Sequence, residues 1–287
     1  ETNIVNVLQN ISFSGKTMTF YGRRGRGWFM DQSSPLSVLE VVKSGTLDLR
    51  LASLLWVIME RRASVLVAAG PSRAGKSTTL NVLLDFMRPE IKRIELQGDS
   101  EDFSFLKSAK PANTYMVAAE FSDFGYYVWG EVAIKAFELL SQGYGLGGTI
   151  HARTDEEVVG ILNEYLGLPW QTLAHIDAIV TLRVAPGRGY DAEPVRRINS
   201  VSLLIPRKAG LSLATLARLS PNGNDFDIAG EKELQIALSA RLNIKDASVA
   251  SEMEERELFL RRLMDEGKLS RDEARKAVIE FYKSHQS

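Results

Sequence analysis

The chain has 287 residues, of which 45% are hydrophobic, 25% charged and 8% aromatic, ordinary usage for a folded globular protein and outside the collagen-like, disordered and disulfide-scaffold classes. Its length favours two domains at about 150 residues each. The absence of cysteine excludes disulfides, thiol nucleophiles and cysteine-ligated zinc, and a formal net charge of −1 gives no overall reason to expect a nucleic-acid partner. Taken in chain order, residues 1–33 carry a strand-like alternation at Thr17 to Tyr21 after Ser14-Gly15, then a Gly/Arg-rich linker with a basic cluster at Arg23, Arg24 and Arg26. The chain opens on Glu1, without initiator methionine or signal-peptide pattern, and reads as a fragment lacking its natural beginning. Two short helices are expected after Pro35, on Leu36, Leu39 and Val42 and then from Leu47 to Ile58. The apolar run Leu47 to Met59 contains Asp48 and Arg50 and is far shorter than the roughly 20 residues that cross a bilayer, so no integral membrane segment is expected.

Ser64 to Ala69 reads as a buried strand, followed by a glycine-flanked turn and an apolar-periodic helix through Leu80, Leu83, Leu84 and Met87 that stops at Pro89. Further strands are expected at Arg93 to Gln97, Tyr115 to Ala119, Gly148 to His151 and Ile176 to Arg183, with helices near Glu131 to Ser141 and Asp155 to Leu166. This alternation predicts an α/β fold with a parallel sheet. Residues 181–205 read as an edge hairpin around Pro186-Gly187-Arg188-Gly189, and the pattern is helical from about residue 229, with a capping box at Ser270 and Glu273. The expected organisation is an N-terminal remnant and linker at 1–33, an α/β core with the edge hairpin at 34–210 and a C-terminal helical subdomain at 211–287.

The turn after the first buried strand, Gly70-Pro71-Ser72-Arg73-Ala74-Gly75-Lys76-Ser77, fits G-x-x-x-x-G-K-[ST] and stands between strand and helix, where that motif must lie. Its chemistry needs those residues. Backbone N–H groups wrap a phosphate that side chains would obstruct, the helix N-terminus adds favourable partial charge, Lys76 neutralises β/γ oxygens, and the Ser77 hydroxyl ligates Mg²⁺. Gly70, Pro71, Ser72, Arg73, Ala74, Gly75, Lys76, Ser77 and Thr78 are therefore expected to hold ATP. Hydrolysis also requires an acid at a neighbouring strand end. Glu120, after Tyr115 to Ala119, stands where a Walker B acid would, holding Mg²⁺ through water. Asp99, Glu101 and Asp102 form an acidic cluster after Gln97, and His151 ends a short strand at a position suited to sensing a γ-phosphate. The candidate catalytic set is Lys76, Glu120, His151 and Asp99; His175 reads as structural and His285 as tail.

These pieces together resemble the secretion ATPase superfamily, the motors of type II secretion, type IV pili, tight-adherence pili and archaeal flagella. The resemblance covers about residues 34–285. It rests on Ser34-Pro35-Leu36, Ser44-Gly45-Thr46-Leu47, the Walker A helix through Asn81, Glu131 to Thr149-Ile150-His151-Ala152, and the C-terminal helices from Glu254-Glu255-Arg256 through Phe259-Leu260 to Tyr282. It implies a RecA-like core, a hexameric ring with ATP at subunit boundaries, and a motor docked on a polytopic inner-membrane platform protein at the cytoplasmic membrane face. Arginines from the preceding segment act on a neighbour's nucleotide in that family, a role open to Arg23, Arg24 and Arg26 and, less readily, to Arg183, Arg188, Arg196 and Arg197. The sequence also departs from the pattern. Where the family carries a Glu-Asp pair this chain has Gly98-Asp99, or Gln97-Gly98 one register earlier. The Walker B arginine is absent from Ala119-Glu120-Phe121-Ser122-Asp123, and an aromatic stretch, Phe124 to Gly130, follows. Two functions are thus expected in competition: an ATP-hydrolysing motor for secretion or pilus-like filament assembly, or a catalytically weakened nucleotide-binding scaffold of such a machine.

Overall fold

The computed structural model describes residues 35–187, 193–208, 210–244 and 248–285. The expected strand at Thr17 to Tyr21, the cluster Arg23, Arg24 and Arg26, and Arg188 lie outside those residues.

The first buried strand, β1 (Val65–Ala68), is apolar throughout and buried at every position, as suits a strand covered on both faces. It lies in an eight-stranded sheet of order β2-β3-β4-β1-β5-β6-β7-β8, with β2 (Lys92–Glu95), β3 (Thr114–Phe121), β4 (Gly145–Ile150), β5 (Ala178–Ala185), β6 (Val195–Arg207), β7 (Gly210–Leu219) and β8 (Phe226–Ile228). The first five run parallel, and helical crossovers α3 (Lys76–Asp85), α4 (Gly130–Glu138) and α5 (Asp155–Gly160) link successive parallel strands. This is the α/β class expected from the sequence, with a RecA-like parallel core. The antiparallel strands β6, β7 and β8 extend it on one side. The sheet therefore continues past residue 210 in two strands that the periodicity does not announce, and helices resume at Glu231.

Parallel strands present their C-terminal ends at one edge, where open α/β sheets bind ligands. Here β1, β3 and β4 end together: Ala68 pairs with Ile150 and Ile150 with Phe121. Between Ala118 and Phe121 the β3–β4 register slips, since Ala118 opposes Gly148 while Phe121 opposes Ile150. Such a bulge re-aims the residues within it, here Ala119 and Glu120. The displaced Ala119 carbonyl accepts the Thr149 hydroxyl at 2.7 Å.

Helix α1 (Val38–Lys43) opens on a Ser37/Glu40 capping box, and α2 (Leu49–Glu60) on Asp48, whose carboxylate accepts the Leu51 N–H at 2.7 Å. Nearly every residue of α2 is buried, which marks it as a core helix rather than an amphipathic surface one. After the short helix α6 (Trp170–Leu173) and the strands β5 to β8 come the C-terminal helices α7 (Glu231–Leu242), α8 (Val249–Asp265) and α9 (Arg271–Ser284), and α8 lies along α2. Trp56 is the hub of this packing. Its ring stacks on Phe86 at 5.1 Å and meets Phe281 at 4.9 Å and Phe259 at 5.7 Å, while its indole N–H donates to Tyr282 Oη at 2.7 Å and that hydroxyl donates to the Phe86 carbonyl. Ion pairs of Arg256 with Glu60 and of Arg61 with Glu252 (2.5 Å) reinforce the seam. Among the described residues no helix is long and apolar enough to cross a membrane.

Candidate nucleotide site

Helix α3 begins directly at Lys76. Its N-cap, Gly75, has φ +93°, a left-handed backbone that glycine adopts without steric cost, and this brings the loop from Gly70 back over the helix N-terminus. Pro71, Ser72 and Arg73 are exposed, Ala74 is buried, and Lys76 is only 7% exposed. Burial pulls the Lys76 ammonium below the usual lysine range, partly opposed by the negative Glu120.

The structure brings three of the four catalytic candidates together. Lys76 Nζ lies 3.1 Å from His151 Nε2 and 3.9 Å from Glu120 Oε2, and His151 Nε2 lies 3.1 Å from Glu120 Oε1. His151 Nδ1 faces the Gly70 carbonyl at 3.2 Å. Because a carbonyl only accepts, Nδ1 is the donor in that contact, while Nε2 faces both the Lys76 ammonium and the Glu120 carboxylate. The cluster therefore joins the first residue of the loop, its lysine and the two strand-end residues in one contact set. Thr149, buried in β4, ties down the bulge that carries Glu120 through its bond to the Ala119 carbonyl.

Asp99 stands apart. It is exposed and makes no hydrogen bond or ion pair among the described residues. Its neighbours are occupied by the local turn, Glu101 accepting the N–H groups of Gln97 and Phe103 at 2.9 and 2.7 Å and Asp102 that of Ser104 at 2.8 Å. The preceding residue explains the local geometry. Gly98 has φ +61°, and a Cβ built there would lie 1.8 Å from the Tyr126 carbonyl oxygen, so the backbone of the aromatic stretch fills the space that any side chain at 98 would need. That stretch is pinned at its base, Val128 N–H donating to the Glu120 carbonyl at 3.1 Å and Ser122 N–H to the Val128 carbonyl at 3.3 Å, while Phe124, Tyr126 and Tyr127 are exposed.

Ser77 lies exposed at the helix N-terminus, and its hydroxyl makes no hydrogen bond among the described residues. With the Glu120 carboxylate it offers hard oxygen donors of the kind Mg²⁺ takes alongside water and phosphate. The residues present thus fit Mg²⁺. Among the described residues no group of three or more His, Asp or Glu side chains is placed to hold a metal ion.

Behind the site, Asp155 at the start of α5 is buried and accepts the hydroxyls of Ser200 at 2.9 Å and Ser202 at 2.5 Å, fastening the segment after His151 to β6. Its burial raises the carboxyl above the usual range. Of the arginines expected to act on a neighbouring subunit, Arg197 donates to the Ser44 carbonyl at 3.2 Å, Arg183 is exposed, and Arg196 lies on this chain's own phosphate loop, its Nε donating to the Arg73 carbonyl at 3.1 Å. Arg153 lies against Gly70. No motif marks Arg153, and nothing in the sequence tells an arginine folded onto its own loop from one offered to a neighbour.

No protein-family model matches the chain. Among curated proteins it is similar to two from Methanocaldococcus jannaschii: the uncharacterized protein MJ1287, 24% identical over 277 residues covering 86% of this chain and 98% of that protein, and the uncharacterized protein MJ0900, 26% identical over 181 residues covering 55% of this chain and 31% of that one. Among solved structures it is similar to the VirB11 ATPase of the Brucella suis type IV secretion system, crystallised with sulphate (19% identity, 57% of this chain and 54% of that chain, TM-score 0.37). It is also similar to the Legionella pneumophila ATPase DotB (14% identity, 78% and 63%, TM-score 0.35). The chain thus spans less than two thirds of either solved structure.

Proposed function

We propose that the chain binds ATP on the loop Gly70–Ser77 and hydrolyses it as the motor of a secretion or pilus-like filament-assembly machine. The observation that carries this reading is the meeting of Lys76, Glu120 and His151 at the C-terminal ends of three parallel strands. Lys76 meets the β/γ oxygens, Glu120 orients the attacking water and accepts its proton, and His151, held by the Gly70 carbonyl, contacts the terminal phosphate. Ser77 and, through water, Glu120 would hold Mg²⁺, which when bound neutralises charge building on the β/γ oxygens. In this reading the protein works as a homo-hexamer against a polytopic inner-membrane platform protein, in the cytoplasm and peripheral to the membrane, without a nucleic-acid partner.

A specific observation favours a second reading, a nucleotide-binding scaffold with weak turnover. Gly98 leaves no room for the second acid of the related motors, and Asp99 joins no contact with the cluster. Steady-state hydrolysis beside equilibrium binding on one preparation separates the two. The motor reading expects Mg²⁺-dependent turnover that falls on Lys76→Ala and on Glu120→Gln, and turnover surviving both substitutions would refute it. Binding without turnover, even with the membrane partner added, selects the scaffold.

A further inference from the structure

Two arginines close over the phosphate loop, one at each end. A Cβ built on Gly70 would lie 2.7 Å from Arg153 Cγ and 3.3 Å from its Nε, and one built on Gly75 would lie 3.4 Å from Arg196 Cδ. Both glycines of the motif are thus in contact with an arginine stem.

The two side chains arrive from different elements. Arg153 follows His151 in the loop before α5, and its N–H donates to Glu157 Oε2 at 2.6 Å. Its guanidinium makes no hydrogen bond or ion pair among the described residues. Arg196 belongs to β6. Its Nε donates to the Arg73 carbonyl, and Arg73 has φ +58°, a left-handed backbone that is unfavourable for any residue with a Cβ. Its Nη1 makes only a 3.4 Å contact to the Pro194 carbonyl and its Nη2 none. The Ser200 and Ser202 hydroxyls donate to the Asp155 carboxylate and so tie β6, which carries Arg196, to the start of α5, two residues after Arg153.

The charge balance of the cluster gives these groups a task. Against a triphosphate the contact set supplies one lysine, and that lysine faces a carboxylate 3.9 Å away. A guanidinium presents five donors in a fork that matches phosphate geometry. Resting on the nucleotide reading above, we propose that Arg153 and Arg196 are intrasubunit ligands of the polyphosphate. Arg153 takes the terminal phosphate, and Arg196 takes the interior phosphates while it holds Arg73 in place. Arg153 is assigned to the terminal phosphate because it lies at the Gly70 end, where His151 bridges the loop to Lys76 Nζ. Arg196 lies at the opposite end, over Gly75 and the helix N-terminus. A cation supplied in cis makes tight binding independent of any arginine from a neighbouring subunit.

The test is calorimetric binding of Mg²⁺-ATP and Mg²⁺-ADP to the full chain. Arg153→Ala, at an exposed side chain, is expected to weaken ATP about tenfold or more, as loss of a charged hydrogen bond does, and to leave ADP nearly unchanged. Arg196→Gln keeps an N–H for the Arg73 carbonyl but removes the charge, and is expected to weaken both nucleotides by a similar factor at an unchanged unfolding midpoint. ATP and ADP weakened equally by Arg153→Ala would overturn its assignment. A wild type that binds, that loses binding on Lys76→Ala and that is indifferent to both arginine substitutions refutes the clamp alone. A wild type that binds neither nucleotide refutes the nucleotide reading and the clamp with it.

Discussion

Gly98→Ala tests whether the aromatic stretch, rather than chance, keeps an acid out of position 98. Two costs add. The residue sits at φ +61°, and placing a Cβ in that region costs roughly 1 to 2 kcal/mol. The new methyl would also stand 1.8 Å from the Tyr126 carbonyl oxygen and 2.9 Å from its carbon, so backbone must retreat, and overpacking of this kind costs about 1 to 3 kcal/mol. The expected total is about 2 to 5 kcal/mol, readable as a fall in urea midpoint at unchanged slope. Gly125→Ala is the matched control. It has φ +69° with nothing within 4 Å of its added Cβ, so only the backbone cost of roughly 1 to 2 kcal/mol applies. If Gly98→Ala costs no more than Gly125→Ala, the contact with Tyr126 is not what excludes a side chain, and the account of the missing acid fails.

Three further outcomes follow from named contacts. Tyr282→Phe strands the Trp56 indole N–H and the Phe86 carbonyl in a buried seam, and stability should fall by about 1 to 3 kcal/mol; a change below about 0.5 kcal/mol, the ordinary range for uninvolved surface sites, would show that the hydroxyl bridge is unimportant. The His285 imidazole is raised above its usual range by the Phe281 carbonyl and then by Glu255, which it meets at 2.6 Å. A raised folded value contributes stability that is full below the unfolded range and is lost as pH climbs through the folded value. Wild type should therefore exceed His285→Gln most at low pH, with the difference shrinking above about pH 6.5; a difference independent of pH would contradict the pairing. Burial lowers Lys76, and a bound polyphosphate should raise it again, so nucleotide binding should take up protons as pH approaches the lysine range. Calorimetry in buffers of different ionisation heat reads this directly, with greater uptake expected after Glu120→Gln. Net proton release from the lysine range would reverse the assigned electrostatics.

Much of the site is local in sequence. Gly70 to Ser77 declares its own geometry, because glycines, lysine and hydroxyl must follow one another on a strand-loop-helix connection. Glu120 and His151 are legible as strand-end residues because the runs before them are apolar. What periodicity does not carry is the order of the strands, which sets β4 between β3 and β1 and so brings Glu120 and His151 to Lys76. The slip in register between Ala118 and Phe121 depends on pairing with a distant segment and leaves no mark in the alternation. Strand β7 was hidden for a related reason. Its register against β6 shifts between Ala217 and Thr215, so Leu211, Leu213, Leu216 and Leu219 mix spacings of two and three and favour neither strand nor helix. Asp99 is a different case: the sequence marks an acid at a strand end, and the turn made by Gly98, Glu101 and Asp102 leaves it exposed and outside the contact set of Lys76, Glu120 and His151.

Every assignment at the site depends on the bend before α3 gripping a polyphosphate. Titrating the purified chain with Mg²⁺-ATP in a calorimeter, beside Lys76→Ala, tests it most directly. The wild type should give saturable one-site heat that the variant loses at an unchanged unfolding midpoint; equal heats from both proteins, or none from either at millimolar nucleotide, would mean that the bend holds no nucleotide.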